Sequence, residues 1–287
     1  MSTADHRVDR FEHGGATLVD EQLGNPRAPH LIFLHGWGLN RDSLRGIATL
    51  FERTHRIHLI DLPGFGDAPA PPDDWDTITY TDLVQHYLLD RIKGPVVLIG
   101  HSFGGRLTVR LAARRLPQVR AAVLMGVPGL PVSGWSKKRL RGSWIRGLRR
   151  VLHIVRPVTG YRLLEWHTQR YGSRDYLAAG TLRRVLVRTV NEDLTEPART
   201  IECPVLLLWG THDDEAPPWL AEKYRELIGG RTTLHLLPHK DHHLYAGTGG
   251  HLCAYKIRAW LSRDGQASGD GLQAPGSGLQ ASGRGHV

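Results

Sequence analysis

Short apolar runs recur along the chain, separated by longer segments with apolar positions at helical spacing. The runs predict six β-strands, at residues 31–34, 57–60, 96–99, 121–125, 205–209 and 233–237. Several of them are apolar at consecutive positions, which is typical of strands covered on both faces. Helical patterns lie between them, at about residues 43–53, 79–91, 103–116, 217–228 and 250–261. This alternation predicts an α/β fold with a mostly parallel, doubly wound sheet.

The alternation is interrupted between residues 129 and 200, where amphipathic helical patterns follow one another without a convincing strand. We expect this stretch to be a helical cap, inserted between two parts of one α/β core at residues 1–128 and 201–263. Residues 264–287 are rich in Gly, Ser, Ala and Gln and cannot bury enough apolar surface to offset their ordering entropy. They are predicted to form a disordered tail.

The composition narrows the class of protein. Of the 287 residues 40% are hydrophobic, enough for a large core, and the two cysteines, Cys203 and Cys253, do not suggest a disulfide framework. The first residues contain no apolar segment typical of a secretory signal. No run approaches the roughly 18 apolar residues that a membrane span needs. We therefore predict a cytoplasmic protein.

The formal net charge of +9 allows an acidic partner, but an arginine-rich composition explains it more simply. Residues 137–156 are rich in Lys and Arg, contain no acidic residue and are apolar near helical spacing. They suit a lid helix that makes a weak contact with an anionic membrane surface or an acidic substrate group. We favour a cap helix with its apolar side on the active site and its charged side in water. Interleaved solvent-facing aromatic residues and recognition motifs are missing, so no nucleic-acid partner is predicted.

A candidate nucleophile follows the third predicted strand. Residues 100–105 read Gly-His-Ser-Phe-Gly-Gly and precede a helical pattern. Gly-x-Ser-x-Gly between a strand and a helix fits a nucleophile elbow, where the serine occupies a sharp turn with strained backbone angles. Gly100 and Gly104 remove the Cβ atoms that would clash in so tight a bend. Ser102 is therefore the predicted nucleophile, at the start of a helix.

A serine hydroxyl needs a base within hydrogen-bond reach, and the base needs an orienting acid. In the elbow fold the order along the chain is Ser, then Asp or Glu, then His. Asp213, Asp214 and Glu215 follow the predicted strand at 205–209. Asp213 is the preferred acid because it lies early in the loop, at the C-terminal edge of a strand, where catalytic groups gather. Asp214 and Glu215 are interpreted as charges at a helix start.

The base is expected in the loop after the last predicted strand, which contains three histidines. His242 is the first choice and His243 the alternative, whereas His239, beside Lys240, is interpreted as a solvated loop residue. The His and Asp residues between positions 239 and 243 could instead suggest a metal site. No second cluster completes a tetrahedral set of ligands, so no metal is predicted.

An acyl-transfer site also needs two N–H donors aimed at the developing oxyanion. One is predicted to be the backbone N–H of Phe103, directly after the nucleophile, and the other an N–H in the loop after an early strand. His35-Gly36-Trp37-Gly38 follows the first predicted strand, and the N–H of Trp37 is the donor we name there. His35 and His101 are interpreted as structural residues.

With these motifs in this order, the chain resembles a member of the α/β-hydrolase superfamily over roughly residues 29–262. The resemblance rests on residues 35–38, 61–66, 100–105, 209–213 and 241–242. It implies a site made of Ser102 as nucleophile, Asp213 as acid, His242 as base, and the backbone N–H groups of Trp37 and Phe103. The family usually has glycine before its catalytic histidine, where this chain has Asp241. Serine at the elbow disfavours the haloalkane dehalogenase and epoxide hydrolase branches, and the subgroup resembles small bacterial esterase-like hydrolases.

We therefore expect a cofactor-independent serine hydrolase that cleaves a carboxylic ester, or a related acyl bond, of a small to medium hydrophobic substrate. The reaction would pass through an acyl-enzyme on Ser102. The same triad would also suit a thioesterase, a C–C bond hydrolase, a lactonase or an acyltransferase. An alternative of another class is a ligand-binding protein on a hydrolase fold with little turnover. The predicted partner is a small molecule, and no oligomeric state is predicted.

Overall fold

The computed structural model describes residues 6–72, 74–131 and 179–267, and within them one sheet runs through the molecule. Its strands are β1 (Arg7–His13), β2 (Ala16–Gly24), β3 (His30–Leu34), β4 (Arg56–Asp61), β5 (Val96–His101), β6 (Val119–Met125), β7 (Val205–Gly210) and β8 (Thr232–Leu237). They lie in the order β1-β2-β4-β3-β5-β6-β7-β8. The pairs β1–β2 and β2–β4 are antiparallel. The remaining neighbours, from β4 through β3 to β8, pair parallel. The predicted mostly parallel sheet is confirmed.

Helices cover both faces of this sheet. They are α1 (Arg45–Ala48), α2 (Thr77–Arg91), α3 (Ser102–Ala113), α4 (Arg183–Val190), α5 (Thr195–Arg199), α6 (Trp219–Leu227) and α7 (Gly249–Ala267). On one face, residues of α1 and α7 pack with strand residues such as Phe33. On the other face, α2 and α3 pack with strand residues such as Ile32, and α5 and α6 continue that layer towards β7. Because successive side chains of a strand point to opposite faces, each strand contributes to both layers.

The N-terminal hairpin of β1 and β2 is the part of the sheet that sequence analysis missed. β1 is an edge strand whose residues are mostly exposed, so it shows no apolar run. β2 is buried although it contains Asp20 and Glu21. Their carboxylates are satisfied by partners far along the chain, among them His58 and Arg45. A polar sequence therefore forms a buried strand here, because the partners that compensate its charges come from other elements.

The predicted helices are present with shifted bounds. The pattern at 43–53 forms the single turn of α1 between two 3₁₀ turns, Arg41–Leu44 and Thr49–Phe51. The last helix runs to Ala267, beyond the predicted start of the tail at residue 264. The rest of that tail lies outside the described residues. In the part of the chain that the structure describes, no helix is both long and apolar enough to cross a membrane.

Most of the predicted cap, including the basic stretch at 137–156, also lies outside the described residues. The described end of the cap begins with a 3₁₀ turn at Gly180–Leu182 and continues with α4 and α5. This segment returns the chain to the start of β7, the second part of the core. The cap as a unit stays a prediction.

Candidate active site

Ser102 lies at the junction of β5 and α3, partly exposed and with a positive φ of 47°. Non-glycine residues rarely adopt this left-handed conformation, and they tend to do so at functional sites. The turn also depends on the glycines on either side. A Cβ on Gly100 would lie 2.2 Å from Oγ1 of Thr108, and one on Gly104 would lie 2.2 Å from the carbonyl oxygen of Leu34. The backbone at Ser102 therefore has the tight strand-to-helix turn that its sequence predicts.

His242 and Asp213 form a buried hydrogen-bonded pair at the same edge of the sheet. Nδ1 of His242 lies 2.9 Å from Oδ2 of Asp213 and 3.1 Å from Oδ1, and the two side chains are 7% and 0% exposed. An ionised carboxylate only accepts, so Nδ1 carries the proton and Nε2 is left as the free basic nitrogen. Burial lowers the pKa of His242, but the hydrogen bond and charge of Asp213 outweigh burial and raise this pKa above its usual value.

The loops that contain Asp213 and His242 are held against each other by backbone contacts. The N–H of His212 donates to the carbonyl oxygen of Lys240 at 2.9 Å. A Cβ on Gly210 would lie 2.3 Å from that same oxygen, so the loop after β8 packs directly on the end of β7. This close approach lets two residues that are 29 positions apart share a hydrogen bond.

The structure distinguishes the candidate histidines by their partners. The ring of His243 lies beside the rings of His101 and Tyr245, with centroids 5.7 and 6.1 Å away. His239 is exposed, and its backbone N–H donates to Oγ1 of Thr211 at 2.9 Å. Of the three, it is His242 that Asp213 contacts.

The side chain of His101 contacts the backbone of the loop that contains His242. Its Nε2 lies 3.0 Å from the carbonyl oxygen of His242, and its ring centroid is 4.8 Å from that of His242. Burial and the neighbouring His242 hold the pKa of His101 well below its usual value, so the ring is neutral and Nε2–H donates to this carbonyl. His101 is therefore a positioning residue that ties the elbow to the base loop.

Gly126, at the end of β6, is a site residue that sequence analysis missed. Its φ is +54°, and a Cβ there would lie 3.0 Å from Oδ2 of Asp213 and 3.3 Å from Nδ1 of His242. Any larger residue would crowd the hydrogen bond between the acid and the base. The available signal was the glycine directly after the buried run that ends at Met125.

His35 ties together the loop that contains Trp37. Its Nε2 accepts the N–H of Leu62 at 3.2 Å, and Nδ1–H donates to the carbonyl oxygen of Gly36 at 2.8 Å. The backbone carbonyl of His35 accepts the N–H of Gly104 at 2.9 Å, which joins this loop to α3. These contacts are those of a structural histidine.

The two residues expected to donate to the oxyanion, Trp37 and Phe103, contact each other edge to face with ring centroids 5.4 Å apart. Phe65 packs against both rings, at 5.1 Å from Trp37 and 5.9 Å from Phe103. The first N–H groups of a helix have no acceptor within that helix, and Phe103 is the second residue of α3. These aromatic contacts join the loops after β3 and β4 to the start of α3.

A cavity of about 840 Å³ opens beside this aromatic cluster, between the loop after β3, the loop after β4 and the described end of the cap. Its lining includes Trp37, Leu39, Phe65 and Leu182, with polar atoms from Asn40. The cavity is large enough for a medium-sized organic group. Across the described residues, the His, Cys, Asp and Glu side chains include no group of three or more that could hold a metal ion.

Comparisons with known proteins identify the family and the class of enzyme. The family model described as "Alpha/beta hydrolase family" matches residues 31–249. A pimeloyl-acyl-carrier-protein methyl ester esterase of Nitrosomonas europaea is 26% identical over 245 residues, which cover 79% of this chain and 93% of that protein. The enzyme of the same name from Chromobacterium violaceum is 29% identical over 230 residues, covering 74% and 87%. These relatives agree with the predicted class of enzyme, a carboxylic ester hydrolase.

A solved structure shows how widely the fold is shared. The haloalkane dehalogenase DbeA from Bradyrhizobium elkani superposes with a TM-score of 0.68 at 19% identity, covering 92% of this chain and all of that one. Because one fold hosts several chemistries, the reaction has to be argued from the residues of the site. Because the family model matches most of the chain, residues 31–249, the chain belongs to the α/β-hydrolase family.

Proposed function

We propose that this enzyme hydrolyses a carboxylic ester through an acyl-enzyme on Ser102, with His242 as the base and Asp213 as its orienting acid. The observation that carries the proposal is the buried hydrogen bond between Nδ1 of His242 and Asp213, which leaves Nε2 as the basic nitrogen of the ring. No cofactor takes part in the proposed reaction.

In the first half-reaction, Oγ of Ser102 attacks the ester carbonyl carbon while Nε2 of His242 takes the hydroxyl proton. The carbonyl π electrons move onto oxygen, which the backbone N–H groups of Trp37 and Phe103 receive. The tetrahedral intermediate collapses, the bond to the alcohol breaks, and Nε2–H gives its proton to the leaving oxygen. An ester on Ser102 and a free alcohol result.

In the second half-reaction, water replaces the alcohol. Nε2 takes a proton from the water, the hydroxide oxygen attacks the acyl carbon, and the proton returns to Oγ of Ser102 as the acid leaves. In both halves the imidazolium is stabilised by Asp213, whose hydrogen bond raises the pKa of His242. His101 keeps the base in place through the His242 carbonyl.

The substrate class is supported by the cavity and by the relatives. The side chains of Trp37, Phe65 and Leu182 form an apolar part of the cavity that suits a small to medium hydrophobic group, beside the polar side chains of Asn40, Asp42 and Ser43. The relatives from Nitrosomonas europaea and Chromobacterium violaceum are named for a methyl ester of a pimeloyl group. We infer that this enzyme also takes an acyl chain of medium length.

The test is hydrolysis of p-nitrophenyl esters from acetate to long acyl chains, with monomethyl pimelate added to the panel. Ser102→Ala is expected to lower kcat by about 10⁴-fold or more, because the nucleophile is lost. The matched control is Ser262→Ala, since the Ser262 hydroxyl bonds to the carbonyl of Arg258 in α7. Equal rates in wild type and S102A would refute the assignment. If the enzyme cleaves thioesters and not oxygen esters, its activity is that of a thioesterase.

A further inference from the structure

Glu215 lies at the nitrogen of His242 that carries out the chemistry. Its Oε2 is 3.6 Å from Nε2 of His242, although the Glu215 side chain is 61% exposed. Asp213 contacts the other ring nitrogen, Nδ1. The imidazole therefore has a carboxylate at each of its two nitrogens, one buried and one at the open side of the site.

The position of Glu215 is set by the same residue that orients the base. Oδ1 of Asp213 accepts the backbone N–H groups of Glu215 and Ala216, at 3.0 and 2.7 Å. The indole Nε1–H of Trp209 donates to the carbonyl oxygen of Ala216 at 2.6 Å. Hydrogen bonds from Asp213 and Trp209 thus fix the backbone at Glu215 and Ala216, from which the Glu215 side chain extends towards His242.

This arrangement corrects the interpretation of Glu215 as a charge at a helix start. Helix α6 begins at Trp219, so Glu215 precedes its first turn, where the acidic residue is Glu222. The carboxylate of Glu215 points instead to His242. In the sequence, Glu215 stands directly before a helix predicted at about 217–228, whereas in the structure the turn around Asp213 directs its side chain to His242.

The surroundings of His242 give this side of the site a negative charge. Asp213, Glu215 and Asp241 all act on His242 as negative charges. The groups facing it from β5 and from its own loop are the neutral ring of His101 and the ring of His243. The amine of Lys240 lies close to Gly249 instead.

In the proposed mechanism Nε2 hands its proton to the leaving alcohol, so the alcohol half of the ester must lie next to Nε2. A carboxylate 3.6 Å from that atom borders the same space. It would attract a cationic or hydrogen-bond-donating group on the alcohol and repel an anionic one. This inference rests on the proposed function, because it uses Nε2 as the atom that protonates the leaving group.

We propose that Glu215 is a specificity-determining residue of the leaving-group side, and that it selects esters whose alcohol portion carries a positive charge. With the acyl portion against the apolar part of the cavity at Trp37 and Phe65, the preferred substrate class is a hydrophobic acyl ester of an amino or ammonium alcohol. Esters with an anionic alcohol portion are disfavoured.

The test compares two esters of equal shape, propionylcholine and its neutral carbon analogue 3,3-dimethylbutyl propionate, by titration of the released acid. In wild type the choline ester is expected to have the higher kcat/KM. In Glu215→Gln the ratio of the two kcat/KM values is expected to fall about two- to fivefold, which is typical of one charge contact at an exposed site. Raising the salt concentration should lower the ratio in wild type but not in E215Q.

The matched control is Asp214→Asn, which removes the neighbouring charge of the same loop and should keep the wild-type ratio. A second measurement needs no substrate: the pKa of His242, followed by proton NMR, should fall in E215Q and not in D214N. If Glu215 had only a structural role, removing its charge in E215Q would leave the pKa of His242 unchanged.

An unchanged ratio in E215Q, or an equal fall in D214N, overturns the proposal. So does a wild type that cleaves p-nitrophenyl esters but neither of the two alkyl esters. Failure of the proposed function looks different, because turnover of every ester would then persist in S102A.

Discussion

At the scale of single residues, Asp213 determines most of the site. Its carboxylate accepts from Nδ1 of His242 and from the backbone N–H groups of Glu215 and Ala216. One buried anion thus sets the tautomer of the base and the course of its own loop. Gly126, which has no side chain, leaves space for the hydrogen bond between Asp213 and His242.

Gly126→Ala should therefore impair catalysis. The added Cβ would lie 3.0 Å from Oδ2 of Asp213, and the φ of +54° disfavours a side chain. Displacing the acid and the base by a fraction of an ångström is expected to lower kcat by about tenfold to 10²-fold. The control is Gly46→Ala in α1, where a Cβ meets no atom within 4 Å. If kcat is the same in the two variants, the close packing at Gly126 has no role in catalysis.

At the scale of elements, the helix that begins with Ser102 is anchored to the last part of the predicted cap. Glu192, between α4 and α5, has a side chain that is 7% exposed, and its carboxylate pairs with Arg106 and Arg110 of α3. Thr77, at the start of α2, donates its hydroxyl to the same carboxylate. Helices α2 and α3 and the α4–α5 segment thus meet at one buried anion, and α3 is the helix that begins with Ser102.

Glu192→Gln should destabilise the protein by about 3 kcal/mol, because two largely buried guanidinium groups lose their counter-charge. The free energy of unfolding in urea measures this loss. The control is Glu196→Gln, whose side chain is 83% exposed and pairs with Arg199 at 3.5 Å, and its effect should stay within about 0.5 kcal/mol. Similar values for the two variants would show that the buried network contributes little.

At the scale of the whole molecule, a buried and a partly buried histidine make the stability of the fold sensitive to acid. Burial lowers the pKa values of His30 and His55 to about 4, assisted by His58 for the first and by Arg258 for the second. In the unfolded chain a histidine takes up its proton near pH 6.5. The stability that these neutral rings contribute is therefore complete above pH 6.5 and is lost as the pH falls towards 4.

We expect the free energy of unfolding to decrease between pH 7 and pH 4, with His55 alone accounting for about 3 kcal/mol. Urea unfolding between pH 7 and pH 4 measures this contribution. The free energy of unfolding should depend less steeply on pH in His55→Asn than in wild type. His251→Gln, at an exposed position of α7, is the control. Parallel curves for wild type and H55N would contradict the assignment to His55.

The sequence by itself determined the elements whose pattern is local. Strands β3 to β8 each contain an apolar run, and Gly-x-Ser-x-Gly marked the elbow, because a tight turn needs glycine at fixed positions. The order of nucleophile, acid and base along the chain also pointed to loops at one edge of a parallel sheet.

Only the tertiary structure decided what depends on partners far apart in sequence. The burial of β2 rests on cations and hydroxyls from other elements, such as Arg45 and Tyr87. That Asp213 contacts His242 depends on how the loop after β8 packs on the end of β7, as does the approach of Glu215 to Nε2. Such contacts are selected by the packing of whole elements, because a hydrogen bond acts over about 3 Å and carries no mark in the local pattern of either partner.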